Sequence, residues 1–88
     1  MYNYFSVGAV VLATAGREKG EIFLISNENG EYAYLINGKS RTIESPKKKN
    51  KKHLHLLCKS EMAGLDMSML SDAQVKNFLN NYCKSRLK

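Results

Sequence analysis

The chain has 88 residues and carries 14 Lys and Arg against 8 Asp and Glu, a formal net charge of +6. That length allows one domain with a small core and excludes a large enclosed active site. The charge points to a polyanionic partner, and the absence of any run of about 18 apolar residues excludes a membrane-spanning helix; the longest candidate, Val7 to Ala13, is interrupted by Gly8.

Met1 to Ser6 holds Tyr2, Tyr4 and Phe5, an aromatic lead-in expected to cover part of the core. Two short apolar runs follow, Val10 to Ala13 and Ile22 to Ile25, joined by a charged loop that contains Gly16 and Gly20. This is a hairpin pattern with Arg17 and Lys19 at its tip. The polar cluster Ser26 to Glu31 contains Asn29-Gly30 and predicts a second tight turn. Tyr32 to Ile36 reads as a strand, with Tyr32, Tyr34 and Ile36 on one face and Ala33 and Leu35 on the other. Asn37-Gly38 predicts a third hairpin, whose return strand, Lys39 to Ile43, places Lys39, Arg41 and Ile43 on one side.

Pro46 cannot donate to a ladder, so Pro46 to Lys52 reads as an exposed basic loop. His53 to Leu57 alternates again and predicts a closing strand, with Leu54 and Leu56 inward and both histidines outward. After a linker from Lys59 to Met69, the period changes from strand to helix. Ser71-Asp72-Ala73-Gln74 has the form of a capping box, and Val75, Phe78, Leu79 and Tyr82 make one apolar stripe. Lys84, Arg86 and Lys88 suit the negative end of that helix. Short strands with turns at this spacing predict a mainly β fold: a bent antiparallel sheet or barrel over residues 1–58, its basic loop at 46–52. Residues 59–88 add the linker and an amphipathic helix over 71–86, packed on the sheet as part of one unit.

Ala15-Gly16-Arg17-Glu18-Lys19-Gly20-Glu21-Ile22, after a hydrophobic strand, resembles the KOW motif of ribosomal proteins and of certain transcription elongation factors. Glu31 to Ile43 continues it, as strand, Asn-Gly turn and basic strand, and the likeness spans roughly residues 5 to 57. It is similar to the KOW domains of archaeal and eukaryotic large-subunit ribosomal proteins and of small bacterial RNA-binding proteins with one such domain. The resemblance implies an SH3-like barrel of about five antiparallel strands that binds structured, ribosomal RNA and takes part in translation; a cytoplasmic location is expected separately, because no Lys or Arg precedes Arg17 and the apolar stretch before it is short for an export signal. Ribosomal proteins are implied as neighbours. The alternative is a KOW-type protein-interaction module of a transcription or translation factor.

Charge is concentrated in the middle third. Residues 37 to 60 hold eight cations against Glu44, whereas residues 1 to 36 hold Arg17 and Lys19 against Glu18, Glu21, Glu28 and Glu31. Lys47, Lys48, Lys49, Lys51 and Lys52 are the first candidates for phosphate contact, since each neutralised phosphate releases counterion. Arg17, Lys19, Lys39 and Arg41 join them as a common face, and His53 and His55 extend it. Cys58 and Cys83 are expected to be free thiols that pack, in a reducing cytoplasm. Their spacing from the histidines is poor for zinc, so neither metal nor cofactor is expected. No nucleophile elbow, phosphate-binding loop or H-E-x-x-H occurs, and catalysis is not expected. The basic tract lacks apolar anchors, which argues against a membrane surface, and a monomer is preferred.

Overall fold

The computed structural model describes residues 5, 7–58 and 70–86. Tyr2, Tyr4, the linker 59–69 and Lys88 lie outside the described residues, as do the side chains of Cys83, Lys84 and Arg86. Five strands form one antiparallel sheet: β1 (Val10–Ala13), β2 (Ile22–Asn29), β3 (Tyr32–Ile36), β4 (Lys47–Asn50) and β5 (Leu54–Cys58). A 3-10 turn (Lys51–His53) joins β4 to β5, and one helix, α1 (Asp72–Arg86), follows.

The β1–β2 hairpin forms as its apolar runs predict, with Val11 opposite Phe23. Its charged loop is closed by Gly20 N–H donating to the Ala13 carbonyl at 2.8 Å and Ala13 N–H to that of Glu21 at 3.0 Å. Both runs are apolar throughout because both faces of these strands are covered. Val11, Ala13, Phe23 and Ile25 join Ala9, Ala33, Leu35 and Leu54 in an inner core, against which Phe5 and Leu56 pack. Val10 and Leu24 point the other way and, with Ile36, meet Val75 and Leu79 of the helix.

The order of the strands is β4-β3-β2-β1-β5, so the two strands joined by the 3-10 turn are the two edges. In a flat sheet they would lie about 19 Å apart, four strand spacings of about 4.8 Å. Three residues of 3-10 helix advance only about 6 Å. The sheet therefore curls until its edges meet at that corner. Thr14 N–H donates to the His53 carbonyl at 2.9 Å and Lys51 N–H to that of Glu31 at 2.8 Å, pinning the turn to β1 and to the β2–β3 tip. Among the described residues no ladder joins β4 to β5, so the barrel expected from the sequence takes the form of a curled, open sheet.

The second tight turn forms where Asn29-Gly30 predicts it, the chain reversing at Gly30 and Glu31, but β2 runs on to Asn29 through the polar cluster, with a bulge between Ile25 and Asn27. Two local expectations are corrected. The basic tract is not a loop: Lys47–Asn50 is an edge strand paired with β3, Lys49 opposite Ala33 and Lys48 opposite Tyr34. Lysines have little β preference of their own, but an edge position tolerates charge and the ladder supplies the pairing.

The return strand expected over 39–43 does not form. The buried Asn37 carboxamide accepts from the backbone N–H of Lys39 at 2.8 Å and of Arg41 at 3.0 Å, taking donors that a strand partner would have used. The resulting loop is a seat for the helix. Asp72 accepts from Ile43 N–H at 2.8 Å, and Gly38 lies so close that a Cβ there would stand 2.3 Å from the Asp72 carbonyl oxygen.

The helix begins as the capping box predicts. Ser71 N–H donates to the Gln74 side-chain oxygen at 2.9 Å, and Gln74 N–H to the Ser71 hydroxyl at 3.2 Å. Val75 and Leu79 are buried, and Phe78 and Tyr82 pack beside them, so the predicted stripe is the buried one.

Leu79→Ala should destabilise the fold by about 2 to 4 kcal/mol in chemical denaturation. Gly38 and Gly30 both have positive φ, +79° and +60°, but nothing lies within 4 Å of a Cβ at Gly30. Gly30→Ala should therefore cost only the backbone strain of about 1 to 2 kcal/mol. Gly38→Ala should cost about 1 to 3 kcal/mol more, as the loop is forced off the helix. Equal losses at the two glycines would show that the loop does not seat the helix.

Candidate nucleic-acid interface

The eleven candidate residues do not form one face. Alternation along β4 puts Lys47 and Lys49 on the inner side with Leu35 and Ala33, and Lys48 on the outer side with Tyr34. Inward charge at the rim of a curled sheet needs a counter-charge, and Glu18 supplies it from the tip of the β1–β2 loop. Its carboxylate accepts from the Arg41 guanidinium at 3.1 Å and lies 3.5 Å from the Lys49 ammonium, whose side chain is only 10% exposed. A Cβ at Gly16 would come within 2.9 Å of that same ammonium, so the loop backbone rests on Lys49.

Burial on its own would raise the Glu18 pKa. The hydrogen bond from Arg41 and the charges of Lys47 and Lys49 outweigh it and hold the carboxyl below its ordinary value. Lys51 is paired in the same way with Glu28. Arg41, Lys49 and Lys51 are thus engaged within the fold.

Arg17, Lys19, Lys48 and Lys52 are exposed and Lys47 is half-buried. Arg17 and Lys19 flank Glu18 in the loop and so stand beside Lys47 and Lys49, while Lys52 lies in the adjoining 3-10 turn. The ammonium of Lys48 sits 4.5 Å from the centre of the Tyr32 ring. This rim and the outer side of β4 are the basic surface that the fold assembles. Two candidates lie elsewhere. Lys39 borders a depression beside the helix with Lys76 and Glu21, and His55 is exposed on β5, opposite Leu12. His53 is half-buried in the 3-10 turn, next to β1 through its carbonyl.

Cys58 packs against the helix-side core. Among the described residues no group of three or more His, Cys, Asp or Glu side chains is placed to hold a metal, and no helix is long and apolar enough to cross a membrane.

The sequence reading missed a depression of about 480 Å³ on the outer face, lined by Ser26, Asn27, Glu28, Asn29, Tyr34, Ile43 and Pro46. The alternation of Tyr32 and Tyr34 was its only visible signal, because the bulge in β2 and the loop that carries Ile43 decide what stands beside them. No protein-family model matches the chain, and no curated protein is a significant match. The KOW likeness therefore rests on the motif residues themselves.

The Glu18 cluster makes stability depend on pH. A folded-state pKa below the unfolded value contributes stability above pH of about 4.3 and loses it as pH falls through the folded value. Glu18→Gln should lower the denaturation midpoint at pH 7, and its difference from the wild type should shrink below about pH 4. A constant difference at both pH values would show that the cluster does not hold the loop.

Proposed function

We propose that the chain is a small RNA-binding protein of the cytoplasm, without catalytic activity, that recognises structured RNA of the ribosomal kind and acts in translation. The observation that carries this reading is the rim of exposed cations, Arg17, Lys19, Lys48 and Lys52, set on a tight loop, an edge strand and a 3-10 turn, with no acidic partner among the described residues. Cations on such short, hydrogen-bonded supports match a rigid array of phosphates better than a fluid surface. Structured RNA hides its base edges in a deep, narrow groove and is met through backbone geometry, which suits a small convex protein. The KOW likeness of the Gly16–Gly20 loop supports the same partner. The alternative of a protein-interaction module loses one surface, since the apolar stripe of α1 is used in packing.

Replacing Arg17, Lys19 and Lys52 together by serine should weaken binding to ribosomal RNA and lower the slope of log K against log[salt] by about 0.7 to 0.9 per lost contact. Lys49→Ser should act mainly on stability, since that ammonium is already paired. An unaltered slope in the triple variant would remove the rim from the interface. Sedimentation of cell lysate with and without ribonuclease tests the partner: migration with ribosomes that nuclease abolishes is expected, and migration untouched by nuclease would favour a protein partner.

A further inference from the structure

We propose that the depression beside Tyr34 is a site for one unpaired nucleobase of RNA, with Lys48 neutralising the adjoining phosphate; this rests on the RNA-binding reading above. The bulge between Ile25 and Asn27 is the first observation. Leu24 faces outward opposite Ile36, so simple alternation would put Ser26 and Glu28 outward as well. The extra residue shifts the pattern, and Asn27 and Asn29 come to stand opposite Tyr34 and Tyr32. Bulges re-aim side chains in this way, often next to binding sites. Here the bulge sets two carboxamides opposite the two tyrosines on the outer face.

The chemistry of the walls is the second observation. Tyr34, Ile43 and Pro46 provide apolar surfaces, and Ser26, Asn27 and Asn29 provide polar edges. A carboxamide offers donors and an acceptor side by side, the pattern that base edges present. The Asn27 oxygen accepts from Glu28 N–H at 2.8 Å, which leaves its NH₂ to donate, and the Ser26 hydroxyl donates to the Tyr34 carbonyl at 3.2 Å, which leaves its oxygen to accept. A volume of about 480 Å³ is room enough for a nucleobase.

Charge is the third. Lys48 stands opposite Tyr34 on the next strand, its ammonium over the neighbouring Tyr32 ring, so a cation borders the depression on the side where β4 ends the sheet. Glu28 lines the depression too, but its carboxylate is paired with Lys51. A flat ring with hydrogen-bonding edges and one attached negative charge fits this combination. In structured RNA that is a bulged or loop nucleotide, the kind whose base edges are accessible.

The test compares a hairpin RNA with one bulged nucleotide against a perfectly paired hairpin of equal length, at fixed salt, by fluorescence anisotropy. The wild type should bind the bulged RNA about 5- to 150-fold more tightly, the range of a single base stack. Tyr34→Leu should erase that preference and leave affinity for the paired hairpin within about twofold. Asn29→Ala, at an exposed position, should reduce the preference without affecting folding. Amide shifts on adding AMP, GMP, CMP or UMP to the wild type should centre on residues 26 to 29 and Tyr34. Equal affinity for the two hairpins, or shifts confined to Arg17 through Gly20, would overturn the nucleobase site and leave the RNA reading standing. Failure to bind either hairpin would overturn both.

Discussion

The rest of the structure depends on the shortness of the link between the two edge strands. Asn50 ends β4 and Leu54 begins β5, and only a three-residue turn separates strands at opposite ends of a five-stranded order. The Asn50 side chain accepts from Lys52 N–H at 3.0 Å, so the turn is fixed at its start. A flat arrangement would leave a gap of about 19 Å, which three residues of 3-10 helix cannot span. Curling closes the gap and creates an inside. Phe23, Ile25, Leu35 and Leu54 then meet around one core, although they come from three different strands, β2, β3 and β5.

The same curl explains why charge count and available charge differ. Once the edges turn inward, alternate residues of β4 point toward the rim of the core, and Lys47 and Lys49 are among them. Inward-pointing charge on an edge strand discourages pairing with another chain, but it has to be compensated. Glu18 lies on a loop of the opposite hairpin and reaches Lys49 and Arg41 together, so the carboxylate at the centre of that glycine-bracketed loop serves the fold. Arg17 and Lys19, its neighbours, are turned to solvent by that anchoring. A basic tract read by composition gives five equivalent lysines, whereas the pleat of β4 and the 3-10 turn after it leave Lys48 and Lys52 exposed while ion pairs tie up Lys49 and Lys51.

Period and capping made the hairpin, the closing strand and the helix legible from sequence. Their signals are local: apolar runs around Gly16 and Gly20, alternation through Leu54 and Leu56, and Ser71 with Gln74. The failures share another cause. Lys47 to Asn50 becomes a strand because β3 offers an unpaired edge, a fact held in the topology and invisible in a run of lysines. Asn37-Gly38 resembles a hairpin turn, yet the outcome depends on a buried carboxamide that bonds its own loop and on a helix that arrives from residue 72. The candidate site was half legible for the same reason. Tyr32 and Tyr34 were placed on one face correctly, but the residues facing them depend on a bulge, and nothing in Ser26-Asn27-Glu28-Asn29 marks where a ladder will slip.

The outer face is divided by where the helix stops. Val75 and Leu79 cover Val10, Leu24 and Ile36, and Ile43 closes the border of that core from the loop that seats the helix. Beyond Ile43 the same face continues through Tyr34 to Tyr32, with no helix of the described residues over it, and its composition changes from aliphatic to aromatic, amide and lysine. A sheet face left uncovered needs polar or amphipathic residues for solubility, and threonine, serine or glutamate would serve. Tyrosines beside asparagines and a lysine are a costlier choice for solubility alone, since Tyr32 remains 41% exposed. That aromatic surface, on the part of the face that α1 leaves open and beside the exposed Lys48 of β4, is what the proposed nucleobase site would draw on.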